Sequence, residues 1–137
     1  MDTIEQNLKA SDVLKQIFGF SSFRNGQEEI VKNILDGKQT LAIMPTGAGK
    51  SLCYQIPAIL SEKKTVVISP LISLIENQVA DLRENGVEVE KLHSNQSTQN
   101  RATSWNNFKN GDCNILYISP ERLMTDSMID DLKQLDI

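Results

Sequence analysis

Positive charge, histidine, cysteine and aromatic residues are all scarce in this sequence, and each scarcity narrows what the chain can be. Its 137 residues carry 14 Lys and Arg against 18 Asp and Glu, a net charge of −4, with the cations scattered along the chain. There is no basic patch or tail of the kind that holds nucleic acid by charge alone. Any such partner has to be met through backbone amides and hydroxyls. One histidine and two cysteines leave no zinc-type spacing. Cys53 and Cys113 sit inside the apolar runs SLCYQI and CNILYI, which reads as two buried free thiols rather than a disulfide or a ligand pair. No apolar run is long enough to span a bilayer, and the N-terminal stretch MDTIEQNLKA has neither a basic start nor an apolar core. A soluble, cytoplasmic protein without a secretory leader is the expectation. At this length the chain is one domain, or a piece of a larger one, with enough surface to bury a core.

What the sequence does have is regular punctuation. Three apolar, β-branched runs end just before proline: TLAIM before Pro45, TVVIS before Pro70 and NILYIS before Pro120. Proline suits the first turn of a helix, where its missing N–H costs nothing, and Ser69 and Ser119 are good N-caps for the helices after them. The pairs Asp36-Gly37, Asn85-Gly86 and Asn110-Gly111 each close an amphipathic stretch, with glycine as the left-handed terminator. The expected order begins with helix about 7–17, helix 24–36, strand 39–44, helix 50–61 and strand 65–69. It continues with helix 71–85, strand 87–92, helix 97–109, strand 114–119 and helix about 121–134. Pro57 is expected to kink or split the third of these helices. Short apolar strands alternating with helices predict an α/β fold, a mainly parallel sheet with helices on both faces. In such a sheet the C-terminal strand ends share one edge, where ligands bind. The Pro45, Pro70 and Pro120 corners are therefore expected side by side.

The first corner, MPTGAGKS over residues 44–51, is nearly a phosphate-binding loop, whose usual spelling is Gly-x-x-x-x-Gly-Lys-[Ser/Thr]. Met44 stands where the first glycine is usual. Pro45 pushes Met44 towards an extended conformation, so Met44 reads as the last strand residue. Gly47 and Gly49 then make the turn that lets backbone N–H groups curl round phosphate oxygens. Lys50, in the first helical turn, is a charge the helix dipole disfavours by about 0.3–1 kcal/mol, as a phosphate partner would require. Ser51 places a hydroxyl for Mg²⁺. Met44, Pro45, Thr46, Gly47, Ala48, Gly49, Lys50 and Ser51 thus form the candidate nucleotide site, with Lys50 and Ser51 as its catalytic members. The plainer alternative is a glycine-rich strand-to-helix turn with a surface lysine.

The stretches FGFSSFRNGQ (18–27), MPTGAGKSLCYQIPA, SPLISLIENQV and YISPERL, in this order, closely resemble the RecQ family of DNA helicases, from Leu14 to Met124. Met-Pro-Thr-Gly-x-Gly-Lys-Ser is how that family spells the phosphate loop. The resemblance implies a RecA-like P-loop NTPase domain that uses ATP and Mg²⁺ and acts on single-stranded or partly duplex DNA. It implies 3′ to 5′ translocation and a role in DNA repair or recombination. It also implies an adenine-reading segment, in which Phe20 stacks on the base while Arg24 and Gln27 contact it; the family usually has Tyr where this chain has Phe20. The alternative puts Phe18, Phe20 and Phe23 in the core and leaves Arg24 and Gln27 on a solvated helix. Ser69, Pro70, Leu71, Ser73 and Gln78 resemble the family's first DNA-contacting motif, where a helix N-terminus offers free N–H groups to a phosphate. Capping by Ser69, with Leu71 and Leu74 in the core, is the alternative there. Ser94 and Arg122 are further DNA-contact candidates. The family often has Leu-Asn-Ser where this chain has Leu92-His93-Ser94, and His93 is expected at the surface or a strand end. Trp105 and Phe108, three apart on a helical stretch, read as core rather than as a base-stacking platform.

In that family an Asp-Glu-x-His stretch follows shortly after the position of Ile137, and this sequence does not contain it. The expectation is the N-terminal part of a first RecA-like helicase domain: residues 1–38 a helical adenine-reading segment, residues 39–137 P-loop β-α repeats. Such a piece would bind ATP or ADP without efficient hydrolysis or unwinding by itself, with the remaining helicase domains of the same chain as its partners. It would reside in the cytoplasm, with the nucleoid, or in the nucleus. Two alternatives stand beside it. One is a DEAD-box-type RNA helicase domain, a family that prefers Pro-Thr-Arg-Glu-Leu where this chain has SPLISL. The other is a non-catalytic nucleotide-binding module that ends at this length.

Overall fold

A computed structural model of the chain describes residues 3–45, 47, 49–125 and 127–137, and of residues 3–8 the backbone only. The chain divides into two compact units, Met1–Ser61 and Glu62–Ile137. Among the described residues no helix is long and apolar enough to cross a membrane.

The first unit is helical: α1 (Thr3–Gln16), α2 (Gln27–Leu35) and α3 (Leu52–Leu60). Helical spacing places Ala10 and Leu14 of α1, Val31 of α2, and Leu52 and Ile56 of α3 in one buried cluster. Phe18 and Phe23 pack against that cluster, whereas Phe20 is 46% exposed. Pro57 lies inside α3 without splitting it. The helix has six buried residues among nine, so its packing offsets the hydrogen bond that proline removes.

The expected strand over 39–44 does not form. Among the described residues none pairs with this segment, and Leu41 and Ile43 are 87% and 88% exposed. Its β-branched, apolar composition suits a strand, but a ladder needs a neighbour to take its N–H and C=O groups.

The second unit carries the sheet. Strands β1 (Thr65–Ile68), β2 (Glu90–Leu92) and β3 (Ile115–Ile118) are parallel, in the order β1-β3-β2. This bears out the α/β expectation. The central strand β3 is buried at every position, as a strand with neighbours on both edges should be. Leu116 and Ile118 join Leu92, Phe108, Met128 and Leu132 in one core cluster, leaving Ile115 and Tyr117 to the opposite face. Helix α4 (Ile72–Glu84) buries Ile75, Val79 and Leu82, spaced four and three residues apart on one face. Helix α5 (Thr98–Asn110) buries Phe108 and ends at Gly111 in the left-handed region, φ +87°.

Two boundaries differ from expectation, each for a local reason. The strand predicted over 87–92 starts only at Glu90, because the Arg83 guanidinium caps the Val89 carbonyl from Nε (3.2 Å) and Nη2 (2.9 Å). The helix predicted over 121–134 is two, α6 (Pro120–Leu123) and α7 (Met128–Lys133). Thr125 Oγ1 donates to the Arg122 carbonyl at 2.6 Å, competing for a helix acceptor, and Ser127 adopts φ +66°.

Candidate functional site

In the first unit the candidate phosphate loop is held from behind by two side chains of the segment that precedes it. Arg24 Nη1 donates to the Gly47 carbonyl at 2.8 Å. Gln27 Oε1 accepts from the Arg24 backbone N–H at 2.8 Å, and Gln27 Nε2 donates to the Gly49 carbonyl at 3.1 Å. Gln27 is 1% exposed. Gly47 and Gly49 both adopt left-handed backbone, φ +84° and +76°, as the turn reading requires. At Gly49 the lack of a side chain is also steric: a Cβ there would stand 2.4 Å from Gln27 Nε2. Thr46 and Ala48 lie outside the described residues.

Lys50 stands one residue ahead of the helix N-cap, Ser51, and not in the first turn as predicted. The turn opens with the Cys53 N–H donating to the Lys50 carbonyl at 3.1 Å, so the backbone already curls at Lys50. Lys50 is exposed, and its ammonium has no hydrogen bond or ion pair among the described residues. The Ser51 hydroxyl makes no cap hydrogen bond either. A curled backbone, an uncommitted cation and an uncommitted hydroxyl fit the phosphates and Mg²⁺ of a nucleotide. Among the described residues no three His, Cys, Asp or Glu side chains cluster as a metal site. Met44 is partly buried, and its Sδ lies 3.9 Å from Cys53 Sγ; Pro45 is exposed. Burial pushes the Cys53 thiol up from its ordinary range. Both cysteines are free and buried, as expected.

In the second unit the Pro70 and Pro120 corners come after neighbouring strands, since Ile68 pairs in register with Ile118. They share one sheet edge as predicted; the Pro45 corner belongs to the other unit. Ser119 caps α6, accepting from the Arg122 N–H at 3.3 Å. Ser69 does not cap α4: the N-cap is Leu71, with no side-chain bond, because the helix starts two residues later than proline spacing implied. Ser69 is 8% exposed, and its Oγ is buried without a partner among the described residues. Leu71 and Leu74 are 59% and 41% exposed rather than in the core, and Ser73 beside them is exposed. The N-terminus of α4 is thus open and solvent-facing. Gln78 is half-buried and engaged, Ser94 is exposed, and Arg122 is half-buried. Phe108 is fully buried and Trp105 packs on the same cluster, so both are core.

Sequence reasoning missed a polar network behind Ser94. His93 is buried, 2% exposed, and not at the surface. Its Nδ1 accepts the Asn95 N–H at 3.2 Å, which leaves the proton on Nε2 for Glu76 Oε1 at 2.6 Å. Lys91 Nζ donates to Glu76 Oε2 at 2.5 Å. The Lys91 bond holds the Glu76 carboxyl below the ordinary glutamate range, aided by His93 and opposed by partial burial. Gln96 braces the same loop, accepting from the His93 N–H at 2.9 Å and donating to the Lys91 carbonyl at 3.1 Å. Seventeen residues separate Glu76 from His93, and no periodicity in the sequence links them.

Comparison with known proteins matches residues 24–137 to the family described as DEAD/DEAH box helicase. An ATP-dependent DNA helicase RecQ of Haemophilus influenzae is 48% identical over 118 residues, covering 86% of this chain and 19% of the relative. The Pasteurella multocida protein of the same name is 51% identical over the same shares. The Bacillus subtilis one is 43% identical over 130 residues, covering 94% of this chain and 22% of the relative. The chain therefore spans about a fifth of the length of these curated relatives. It belongs to the DEAD/DEAH box helicase family, and within that family its likeness is to the RecQ DNA helicases, enzymes that depend on ATP.

Proposed function

We propose that this chain is the ATP-binding portion of a 3′ to 5′ DNA helicase of repair or recombination. In this reading Gly47, Gly49 and Lys50 hold the nucleotide phosphates and Ser51 touches Mg²⁺. The second unit meets single-stranded or partly duplex DNA at Ser69, Pro70, Leu71, Ser73, Gln78, Ser94 and Arg122. The remaining helicase domains of the parent supply hydrolysis and unwinding, in the cytoplasm with the nucleoid or in the nucleus. The observation that carries the reading is the exposed, uncommitted Lys50 beside a loop whose two glycine carbonyls are already clamped. Clamped carbonyls point away from a ligand, which leaves the loop's N–H groups to face it. Open N–H groups at the start of α4 support the DNA half in the same way.

Isothermal calorimetry with Mg²⁺-ATP tests the nucleotide half. Lys50→Ala should weaken binding about tenfold or more, since it removes a charge-assisted bond to phosphate. Equal affinity of the two proteins refutes the reading. The role of Gln27 divides in the same assay. As an adenine reader beside Phe20 and Arg24 it gives ATP an advantage over GTP that Gln27→Ala removes. As the loop clamp that its bonds to Arg24 and Gly49 describe, Gln27→Ala weakens both nucleotides alike.

A further inference from the structure

The sequence has one histidine, His93, and the fold places it where a single proton changes what it can bond. In the neutral ring Nδ1 keeps a lone pair and accepts the Asn95 N–H, while Nε2 carries the proton and donates to Glu76 Oε1. The Asn95 N–H fixes this tautomer, because a backbone N–H can only donate. A proton added at Nδ1 turns both ring nitrogens into donors, and the two bonds then respond in opposite directions. The bond to Glu76 becomes charge-assisted and strengthens. The Asn95 N–H meets another N–H and loses its acceptor. The ring is 2% exposed, so these neighbours, rather than bulk water, hold it.

Each element packed around the ring brings its own charges. From α4, Glu76 meets Nε2 at 2.6 Å; from β2 itself, Lys91 donates to the other oxygen of the same carboxylate. From α5, Arg101 reaches the loop at the Gln96 carbonyl, 2.5 Å from its Nη1, and not at the ring. Strand β3 contributes no charged side chain; its titratable Tyr117 stands in register with Lys91. The chain on either side of the turn is anchored without the ring's help. Gln96 accepts from the His93 N–H at 2.9 Å and donates to the Lys91 carbonyl at 3.1 Å. Ser97 Oγ takes the Asn100 N–H at 3.1 Å as the cap of α5. Ser94 and Asn95 lie between these anchors and are exposed, so water can take up the Asn95 N–H once it is released. Release is confined to that turn.

We propose that His93 is a proton-operated latch: neutral, its Nδ1 holds the Ser94–Asn95 turn through the Asn95 N–H, and protonation commits the ring to Glu76 and frees the turn. The proton comes from solvent and stays on Nδ1; only hydrogen bonds are exchanged. The turn follows Leu92, which pairs in register with Ile118, so it lies at the same sheet edge as the Pro120 corner. The latch thus sets the shape of one stretch of that edge by pH. Ser94 is among the residues given above to DNA, but the latch does not rest on that reading.

Because the chain has a single histidine, nitrogen NMR of the 137-residue chain follows its ring without ambiguity through a pH titration. At high pH the proton should sit on Nε2. As pH falls, the ring and the Asn95 amide should change with one common midpoint. Protection of the Asn95 amide from exchange, corrected for its intrinsic rate, should fall about five- to tenfold, the scale of one hydrogen bond. The Asn100 amide, held by Ser97 and not by the ring, should not follow. Glu76→Gln removes the charge that favours the imidazolium, so both midpoints should move together to lower pH. His93→Gln cannot titrate and should abolish the Asn95 transition. Constant emission from Trp105, the only tryptophan, shows that the chain stays folded across the range. A proton on Nδ1 at high pH overturns the latch, since the Asn95 N–H would then have no acceptor. So does a ring that titrates while the Asn95 amide stays still, or an Asn95 transition that survives in His93→Gln. A ring that stays neutral until Trp105 reports unfolding overturns it as well.

Discussion

Substituting Gly49 by alanine separates a backbone requirement from a side-chain contact, and the structure sets both magnitudes. Gly47 and Gly49 each hold positive φ, which costs an L-residue about 1–2 kcal/mol. At Gly47 nothing lies within 4 Å of a new Cβ, so Gly47→Ala should cost that amount and no more. At Gly49 the new Cβ meets Gln27 Nε2 at 2.4 Å. Gln27 cannot step aside cheaply, because it is 1% exposed and tied to Arg24 N–H and Gly49 O. Moving it breaks at least one bond and strands a buried amide, a further loss of about 1–3 kcal/mol. Gly49→Ala should therefore cost about 2–5 kcal/mol, the sum of the two. In a Gln27→Ala background the space is open, so Gly49→Ala should fall back to the cost seen at Gly47. Urea unfolding monitored by far-ultraviolet circular dichroism completes the double-mutant cycle, with protection of α2 amides from hydrogen exchange as the reading local to that unit. Additive losses would refute the clamp, since contacting residues must couple.

Two further outcomes test the parts of the fold that departed from expectation. Leu41→Lys and Ile43→Lys, at positions 87% and 88% exposed, should each change stability by less than about 0.5 kcal/mol in thermal unfolding. A buried strand would lose several times more, about 2–5 kcal/mol, and that result would contradict the segment's exposure. Glu76→Gln should destabilise the second unit at neutral pH, read from Trp105 fluorescence in urea. The Glu76 carboxyl is held below its ordinary range, so its contribution is complete above that range and lost as pH falls through the lowered value. The gap between wild type and Glu76→Gln should accordingly close on acidification; a gap independent of pH would refute the role of its charge.

Most of the alternation was legible because Gly and Pro act locally. Gly37, Gly86 and Gly111 end their helices at positive φ as their neighbours implied, and Ser119 caps α6. What the sequence could not disclose was pairing. The TLAIM run has the composition of β1 and β3 yet forms no ladder, because a strand is defined by its neighbour and not by itself. Ser69 and Ser119 occupy matching places before proline, yet only Ser119 finds an N–H, since α4 starts at Ile72 and α6 at Pro120. Gln27 stood out as a functional residue, but its bond to Gly49, twenty-two residues away, depends on how α2 docks on α3. Glu76 and His93 were invisible as a pair for the same reason.

The scarcity of positive charge now has a physical counterpart. Both candidate sites, the phosphate loop and the start of α4, sit at a turn leading into a helix that no side chain caps, and at the first of them Lys50 has no partner among the described residues. Several other cations are spent inside the fold: Arg24 on the loop, Arg83 on Val89, Lys91 on Glu76. Net negative charge repels polyanions in general and so suppresses binding that depends on charge density alone. Fixed N–H donors beside one free cation resist that repulsion only over bonding distances. In the proposed reading this chain therefore selects phosphates by position, through a few placed donors, rather than by collecting them on a basic surface.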